Sequence, residues 1–205
     1  MGRIDAATQL CAVIGNPIEH SLSPAMHNAA FEASGLNYVY LAFRVEDVAG
    51  CLAGMRALPS FRGLSVTIPH KMSVLPYLDE IEPMARHVGS VNTIAKENGK
   101  LIGSTTDGPG ALRALTQAEV SLERQKVAFI GSGGAVRAVA FALAELTGVA
   151  QITILGRTAS RVAALVKDLH DKTPVSVCGS DLYDDLEQIL ATHTVVIQGT
   201  PIGMY

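Results

Sequence analysis

A lysine that could transfer a proton follows a short apolar stretch in the first half of the chain. The stretch Ser65–Lys71 reads Ser-Val-Thr-Ile-Pro-His-Lys. Pro69 cannot continue a strand ladder and suits a helix start, so we expect a strand that ends at Thr67 and a turn that carries Lys71. A lysine fixed on such a turn can lose hydration, which lowers its pKa and suits it to proton transfer. The alternative is a surface lysine at the start of a helix.

Two serines before a predicted helix could bind an anion. Ser21 and Ser23 lie in the stretch Ser-Leu-Ser-Pro. Pro24 is favoured at the first helical position, which makes Ser23 a candidate N-cap. Unpaired backbone N–H groups and the helix dipole both attract negative charge at a helix N-terminus. The structural alternative is that Ser23 only caps the helix and Ser21 is solvated.

Two further polar residues, Asn92 and Asp107, flank a predicted hairpin. Asn92 lies in a predicted strand over 89–95, and the Asn98-Gly99 pair that follows is a strong hairpin signal. Asp107 precedes an amphipathic stretch and can cap the helix that starts there. The structural alternative for Asn92 is an amide that lines a turn. Between Lys71 and Asn92 we expect a helix over 72–78, interrupted by a proline, and a second helix over 80–88.

A glycine-rich turn follows a predicted strand over 126–131. The turn residues are Gly131, Ser132, Gly133, Gly134 and Ala135. A strand, a glycine-rich turn and an alanine-rich helix in this order begin a dinucleotide-binding unit. Val136 stands at the third position of the usual glycine spacing, and we expect Gly134 and the small residues after it to allow close packing instead. The alternative is an ordinary small-residue turn of an α/β sheet.

Two arginines stand where such a unit selects its cofactor. The next predicted strand, 151–155, is followed by Gly-Arg-Thr-Ala-Ser-Arg. A unit that binds NAD usually has Asp or Glu here, whereas this chain has Arg157, Thr158 and Arg161. Guanidinium groups four residues apart at a helix start can both bind a 2′-phosphate. The sequence therefore predicts NADP, and the alternative is a pair of solvated arginines.

Strands and helices alternate along the sequence, which predicts an α/β fold with a mostly parallel sheet. The chain has 205 residues, of which 48% are hydrophobic and 17% charged, enough to bury a large core in one or two domains. The net charge is −3 and no basic run occurs, so binding to nucleic acid or to a membrane surface is not expected. Apolar runs have the length of strands, and we expect no membrane span.

The cysteines indicate the compartment. Cys11, Cys51 and Cys178 are odd in number and lack the spacing of metal ligands. We expect reduced, mostly buried thiols in a cytoplasmic protein, and no metal site.

The last residues form a loop after a predicted strand over 194–198. The loop begins Gly-Thr-Pro-Ile-Gly-Met, and α/β proteins bind ligands at such strand ends. Thr200 and Met204 are therefore candidate cofactor contacts. The sequence stops one strand–helix–strand repeat beyond Arg161, whereas a doubly wound domain continues, so we expect part of a longer protein.

The motifs occur in the order found in shikimate dehydrogenases, and the chain resembles that family from about Cys11 to Met204. They are Ser-Leu-Ser-Pro at 21–24, Val-Thr-Ile-Pro-His-Lys at 66–71, Val-Asn-Thr at 91–93, Thr-Asp-Gly at 106–108, Gly-x-Gly-Gly at 131–134, Gly-Arg-Thr at 156–158 and Thr-Pro-Ile-Gly-Met at 200–204. The resemblance implies an α/β substrate-binding domain over 1–108. It also implies a Rossmann-like NADP-binding domain over 109–205, incomplete at its C-terminus.

The same resemblance implies an activity: NADP-dependent reduction of 3-dehydroshikimate to shikimate in aromatic amino-acid biosynthesis. In that family a lysine and an aspartate matching Lys71 and Asp107 form the catalytic pair. The residues matching the two serines hold the substrate carboxylate. Those matching Thr67 and Asn92 bind ring hydroxyls. The implied partner is this small molecule, bound by a monomer or a homodimer.

Three departures leave the substrate open. The family usually has Asn where this chain has Ser65 and Thr105, and again near Gln198. A quinate/shikimate dehydrogenase, or a relative that acts on a modified ring, is therefore the alternative enzyme. A non-catalytic ligand-sensing protein on the same scaffold is a third interpretation, against which the retention of Lys71 and Asp107 argues.

Overall fold

A computed structural model describes residues 4–183 and 185–203. The chain divides into two compact units, Met1–Thr105 and Thr106–Tyr205. Both units combine strands and helices, so the predicted α/β class is confirmed. The functional assignment of the domains 1–108 and 109–205 stays a prediction. The candidate residue Met204 lies outside the described residues.

Within these residues, the strands of the first unit form a six-stranded sheet in the order β2-β1-β3-β5-β6-β4. The strands are β1 (Gln9–Gly15), β2 (Tyr38–Arg44), β3 (Phe61–Val66), β4 (Glu80–Ile81), β5 (Thr93–Glu97) and β6 (Lys100–Ser104), and the helices are α1 (Ser23–Ala33), α2 (Val48–Ala57) and α3 (Pro83–Val88). Strand β5 runs antiparallel to β3 and to β6, whereas the other neighbours are parallel. The predicted mostly parallel sheet therefore contains one reversed strand where the Asn-Gly hairpin folds back.

The side chains of β1 alternate between two faces, as expected for a strand. One face contributes to the larger core, which includes Ile14, Leu52, Phe61, Leu64 and Ile94. The other face contributes Val13 to a smaller core, which also contains Ile18 and Tyr40 and is covered by Phe31 of α1. The smaller core thus joins α1 to β1 and to the edge strand β2.

The segment after β3 is not the helix predicted over 72–78. Strand β3 ends at Val66, residues 68–74 form turns, and a single 3-10 turn covers Leu75–Tyr77. Pro69 likewise starts no helix, and the Ile68-Pro69 bond is cis. Pro76 has no N–H to donate, so the helical ladder cannot continue through it.

The helix predicted over 80–88 is also wrong in its first part. Residues Glu80–Ile81 form strand β4, which pairs with Ile102 and Gly103 of β6. Helix α3 begins only at Pro83, because proline suits the first helical turn. The next strand starts at Thr93, four residues later than predicted.

The predicted hairpin turn is confirmed. Asn98 and Gly99 both have positive φ, at 50° and 80°, and Glu97 pairs with Lys100 across the turn. These angles belong to the two-residue turn that the Asn-Gly sequence favours.

The described part of the second unit contains a four-stranded parallel sheet in the order β10-β7-β8-β9. The strands are β7 (Lys126–Ile130), β8 (Gln151–Gly156), β9 (Ser176–Asp181) and β10 (Val195–Gln198), and the helices are α4 (Asp107–Gln117), α5 (Gly134–Leu146), α6 (Ala159–Lys172) and α7 (Leu186–Thr192). Helix α5 is buried along most of its length. Its Arg137 is 7% exposed, forms an ion pair with Asp168 Oδ2 at 2.5 Å and lies over the Phe141 ring. This contact ties α6 to α5.

Three expectations concern what the chain lacks. No helix in the described ranges is long and apolar enough to cross a bilayer. The cysteines are free thiols, but they are half-buried rather than mostly buried. Among the residues described, no group of three or more His, Cys, Asp and Glu side chains could hold a metal ion.

Candidate functional site

The turn that carries Lys71 is fixed to the carboxyl end of the first sheet. Thr67 N–H donates to Ile14 O at 2.9 Å, and His70 N–H closes the turn onto Thr67 O at 2.9 Å. The His70 ring is buried, and its Nε2 lies 2.9 Å from Val45 O. His70 therefore fixes the turn to the backbone at Val45, a role that the sequence analysis did not identify. Lys71 itself is half-buried.

The segment that carries Asn92 lies against this turn. Val91 N–H donates to Lys71 O at 2.8 Å, and Val66 N–H donates to Asn92 O at 2.7 Å. Thr93 Oγ1 donates to Asn92 Oδ1 at 3.0 Å, which orients the side-chain amide. The structure thus brings the segments of Thr67, Lys71 and Asn92 together at one end of the sheet.

The prediction that Ser23 caps α1 is wrong. Leu22 is the N-cap residue, with φ −85° and ψ −3°, and Ser23 is already inside the helix. Ser23 N–H donates to Ser21 Oγ at 3.3 Å, so the Ser21 hydroxyl binds a backbone donor of the first turn. Both serines are half-buried. The Ser23 hydroxyl takes no part in capping, which leaves the simple cap interpretation without support.

The glycine-rich turn of the second unit needs glycine at its first position. Gly131 has φ +117°, and its N–H donates to Leu155 O at 2.7 Å. A Cβ on Gly131 would lie 3.1 Å from Thr200 Cγ2 and 3.2 Å from Gly199 O. Gly133 is the N-cap of α5, and a Cβ there would meet no atom within 4 Å. The open space at Gly133 gives access to the N-terminus of α5.

Close packing in this turn depends on a glycine of another strand. A Cβ on Gly199, which follows β10, would collide with Val136 Cγ2. Gly199 N–H donates to Ile130 O at 2.9 Å, so the loop after β10 runs beside the glycine-rich turn. Val136 can therefore replace the third glycine of the usual spacing because Gly199 makes room for it. The sequence analysis did not identify Gly199, and only its position at a strand end could have suggested it.

The cationic residues follow β8 as predicted from their spacing. Thr158 is the N-cap of α6, and Arg157 and Arg161 lie on either side of it. All three side chains are exposed. In the ranges 4–183 and 185–203, neither guanidinium has a hydrogen bond or an ion pair with another side chain. Both arginines are therefore available to an anionic ligand.

Asp107 does not cap α4, contrary to prediction. Thr106 is the N-cap residue, and Asp107 lies in the first turn, where the helix dipole favours a carboxylate. A Cβ on the next residue, Gly108, would lie 2.8 Å from Ala138 O and 2.8 Å from Ala142 Cβ. Only glycine permits this approach, so Gly108 fixes the start of α4 against α5. The sequence analysis did not assign this role to Gly108.

Both halves of the chain match known family models. The model of the shikimate dehydrogenase substrate binding domain matches residues 13–94. The model of shikimate / quinate 5-dehydrogenase matches residues 113–202.

Curated relatives and solved structures agree with these matches. The NADP(+) shikimate dehydrogenase of Desulforamulus reducens is 43% identical over 98% of this chain and 70% of its own length. The crystal structure of a shikimate dehydrogenase in complex with NADP+ is 43% identical, with a TM-score of 0.84 over 99% of this chain and 70% of that one. Shikimate 5-dehydrogenase from Listeria monocytogenes, in complex with shikimate and NAD, is 37% identical, with a TM-score of 0.85 over 100% of this chain and 72% of that one.

Proposed function

This chain belongs to the shikimate dehydrogenase family, and on that premise we propose that it reduces 3-dehydroshikimate to shikimate with NADPH in aromatic amino-acid biosynthesis. The observation that carries the proposal is the meeting of the Thr67, Lys71 and Asn92 segments at one end of the first sheet. A hydroxyl, an amine and an amide together suit a polyhydroxylated ring with a reactive ketone.

The second unit has features that fit NADP. Gly133 leaves space for a pyrophosphate at the N-terminus of α5, where backbone N–H groups bind anions, and Gly131 with its φ of +117° forms the tight turn that leads there. Arg157 and Arg161 are exposed and would bind the 2′-phosphate. The remaining residues that would hold the cofactor are Ser132, Gly134, Ala135, Thr158 and Thr200. Bound NADPH would supply the hydride.

The chain's own groups would handle the substrate and its proton. Reduction of a ketone leaves negative charge on its oxygen, and the Lys71 ammonium can stabilise that charge and donate a proton from Nζ. Asp107 would orient the ammonium or share its proton, and water would replace the proton that the ketone oxygen takes. Ser21 and Ser23 would bind the ring carboxylate, while Thr67 Oγ1 and the Asn92 amide bind ring hydroxyls.

The proposal is tested by turnover with matched substrates and cofactors. Purified protein is given shikimate or quinate with NADP+ or NAD+, and reduced nicotinamide is followed by its absorbance. We expect kcat/KM for shikimate with NADP+ to exceed each other combination by about tenfold or more, the effect of one good contact. Faster turnover of quinate would favour the quinate/shikimate alternative, to which Ser65 and Thr105 point. Shikimate binding without any turnover would favour a ligand sensor.

The catalytic pair is tested by substitution. Lys71→Ala should lower kcat by about two to four orders of magnitude, the usual contribution of a positioned acid–base group. Asp107→Asn should have a similar effect, and the double variant should be no slower than the worse single one, because residues that act as a unit are not additive. Lys100→Ala is the matched control, since Lys100 is an exposed lysine paired with Glu80. Fully additive losses, or near-normal turnover of Lys71→Ala, would contradict the pair.

A further inference from the structure

Tyr40 is held firmly by α1. The Asn28 side chain donates to Tyr40 O at 2.9 Å and accepts from Tyr40 N–H at 2.9 Å. The His27 ring stacks on the Tyr40 ring, with centroids 4.3 Å apart and planes 14° apart. These contacts fix both the backbone and the ring of Tyr40 relative to the helix. The ring is buried, and Tyr40 is 4% exposed.

The Tyr40 hydroxyl reaches a residue two strands away. Tyr40 lies on β2 and Ser65 on β3, with β1 between them. Tyr40 Oη nevertheless donates to Ser65 Oγ at 2.7 Å, so the phenol spans β1. Burial raises the pKa of Tyr40, although the bond to Ser65 opposes this shift, so the group stays a neutral donor at physiological pH. The bond joins α1 to the far side of β1.

The two ends of this connection lead to different groups of the candidate substrate site. Helix α1 begins at Ser23, next to Ser21, where we place the substrate carboxylate. Strand β3 leads from Ser65 to Thr67, where we place a ring hydroxyl. The distance between these two binding groups therefore depends on how α1 is held relative to β3. Tyr40 is a buried residue that contacts both elements.

We propose that Tyr40 is a positioning residue that sets the spacing between the serine pair of α1 and Thr67 by binding Ser65. The inference rests on the proposed function, because it needs a ligand that spans both groups: a cyclic carboxylate with ring hydroxyls. Tyr40 acts through Ser65, so the effect requires an acceptor at position 65. A purely structural role of Tyr40, filling the small core, would depend on its ring and not on its hydroxyl.

The test removes only the hydroxyl. Tyr40→Phe keeps the ring and its stacking but deletes the donor. We expect KM and Kd for shikimate to rise about 3- to 10-fold, the effect of one hydrogen bond. We expect kcat to stay within about twofold, because carboxylate and hydroxyl contacts are the same in ground and transition states. The KM for NADP+ should not change. Tyr38→Phe is the matched control, since Tyr38 lies on the same face of β2 and packs on Phe31.

Ser65 variants test the same contact from its other end. Ser65→Ala should raise KM for shikimate as Tyr40→Phe does, and the double variant should be no worse than either single one. Ser65→Thr should keep the wild-type KM, because its hydroxyl can still accept from Tyr40. Adding Tyr40→Phe to Ser65→Thr should raise KM again. Thermal unfolding of each variant shows whether it is folded at the assay temperature.

Several outcomes would overturn the inference. An unchanged shikimate KM in Tyr40→Phe, an equal rise in Tyr38→Phe, additive effects of Tyr40→Phe and Ser65→Ala, or a parallel rise in KM for NADP+ would each do so. These results leave the proposed function intact, because the wild-type protein would still turn over shikimate. If the wild-type protein neither binds nor oxidises shikimate, the proposed function fails, and the spacing role fails with it.

Discussion

Replacing Arg157 tests how the chain distinguishes NADP from NAD. Arg157 follows β8 directly, is exposed, and has no intramolecular partner among the residues that the structure describes. Arg157→Ala therefore removes no hydrogen bond or ion pair of the described residues, and the free energy of unfolding should stay within about 0.5 kcal/mol of the wild-type value. Any effect on cofactor affinity then comes from lost contacts to the cofactor alone.

The expected loss follows from the kind of contact removed. A hydrogen bond to a charged group contributes roughly 1.5–3 kcal/mol, so Kd for NADP+ should rise about 10- to 150-fold. NAD+ has no 2′-phosphate, and its Kd should change by less than about twofold, the scatter of a surface substitution. Arg157→Lys should lose part of the affinity, because an ammonium lacks the planar fork of a guanidinium.

Isothermal titration calorimetry measures both dissociation constants. Lys167→Ala is the control, because Lys167 is exposed on α6, pairs with Asp171 and carries the same charge. This control should leave both dissociation constants near their wild-type values. Equal losses for NADP+ and NAD+ in Arg157→Ala would refute the assignment of Arg157 to the 2′-phosphate.

Two further predictions concern the serine pair and the glycine after β10. Changing Ser21 and Ser23 together to Ala should raise the shikimate KM much more than it lowers kcat, because a carboxylate contact is equal in the ground state and the transition state. Steady-state kinetics measure both constants, and an unchanged KM would contradict the proposed anion site. Gly199→Ala should lower the free energy of unfolding by about 1–3 kcal/mol, because the added methyl overpacks against Val136. Adding Val136→Ala should recover part of that loss in urea unfolding, and no recovery would contradict the contact.

The local sequence was enough to predict features that depend only on residues close together in the chain. The hairpin at Asn98 and Gly99, the glycine turn at Gly131 and the arginine pair after β8 all follow from short patterns. These features need particular backbone angles or particular charges at fixed offsets, so the residue types reveal them.

Features that depend on contacts between residues far apart in the sequence were missed by the sequence analysis or predicted at the wrong position. Strand β4 has two residues, too few for a visible period, and exists because it pairs with β6. The close packing of Gly199 on Val136, and the bond from Tyr40 to Ser65, join positions that no local pattern connects. The roles of Lys71 and Asp107 stay predictions, because residue type and position alone do not establish proton transfer.

The hairpin between β5 and β6 also affects how the protein ages. Asn98 and Gly99 are both exposed, and glycine has no side chain to shield its backbone nitrogen. That nitrogen can attack the Asn98 side-chain carbonyl, which closes a succinimide ring and releases ammonia. Water then opens the succinimide to aspartate or isoaspartate. Asparagine is accordingly among the thermolabile residues. Isoaspartate lengthens the backbone inside a two-residue turn, so it would disturb the pairing of Glu97 with Lys100. Stored protein would then be a mixture of charge variants, differing at the turn that begins β6.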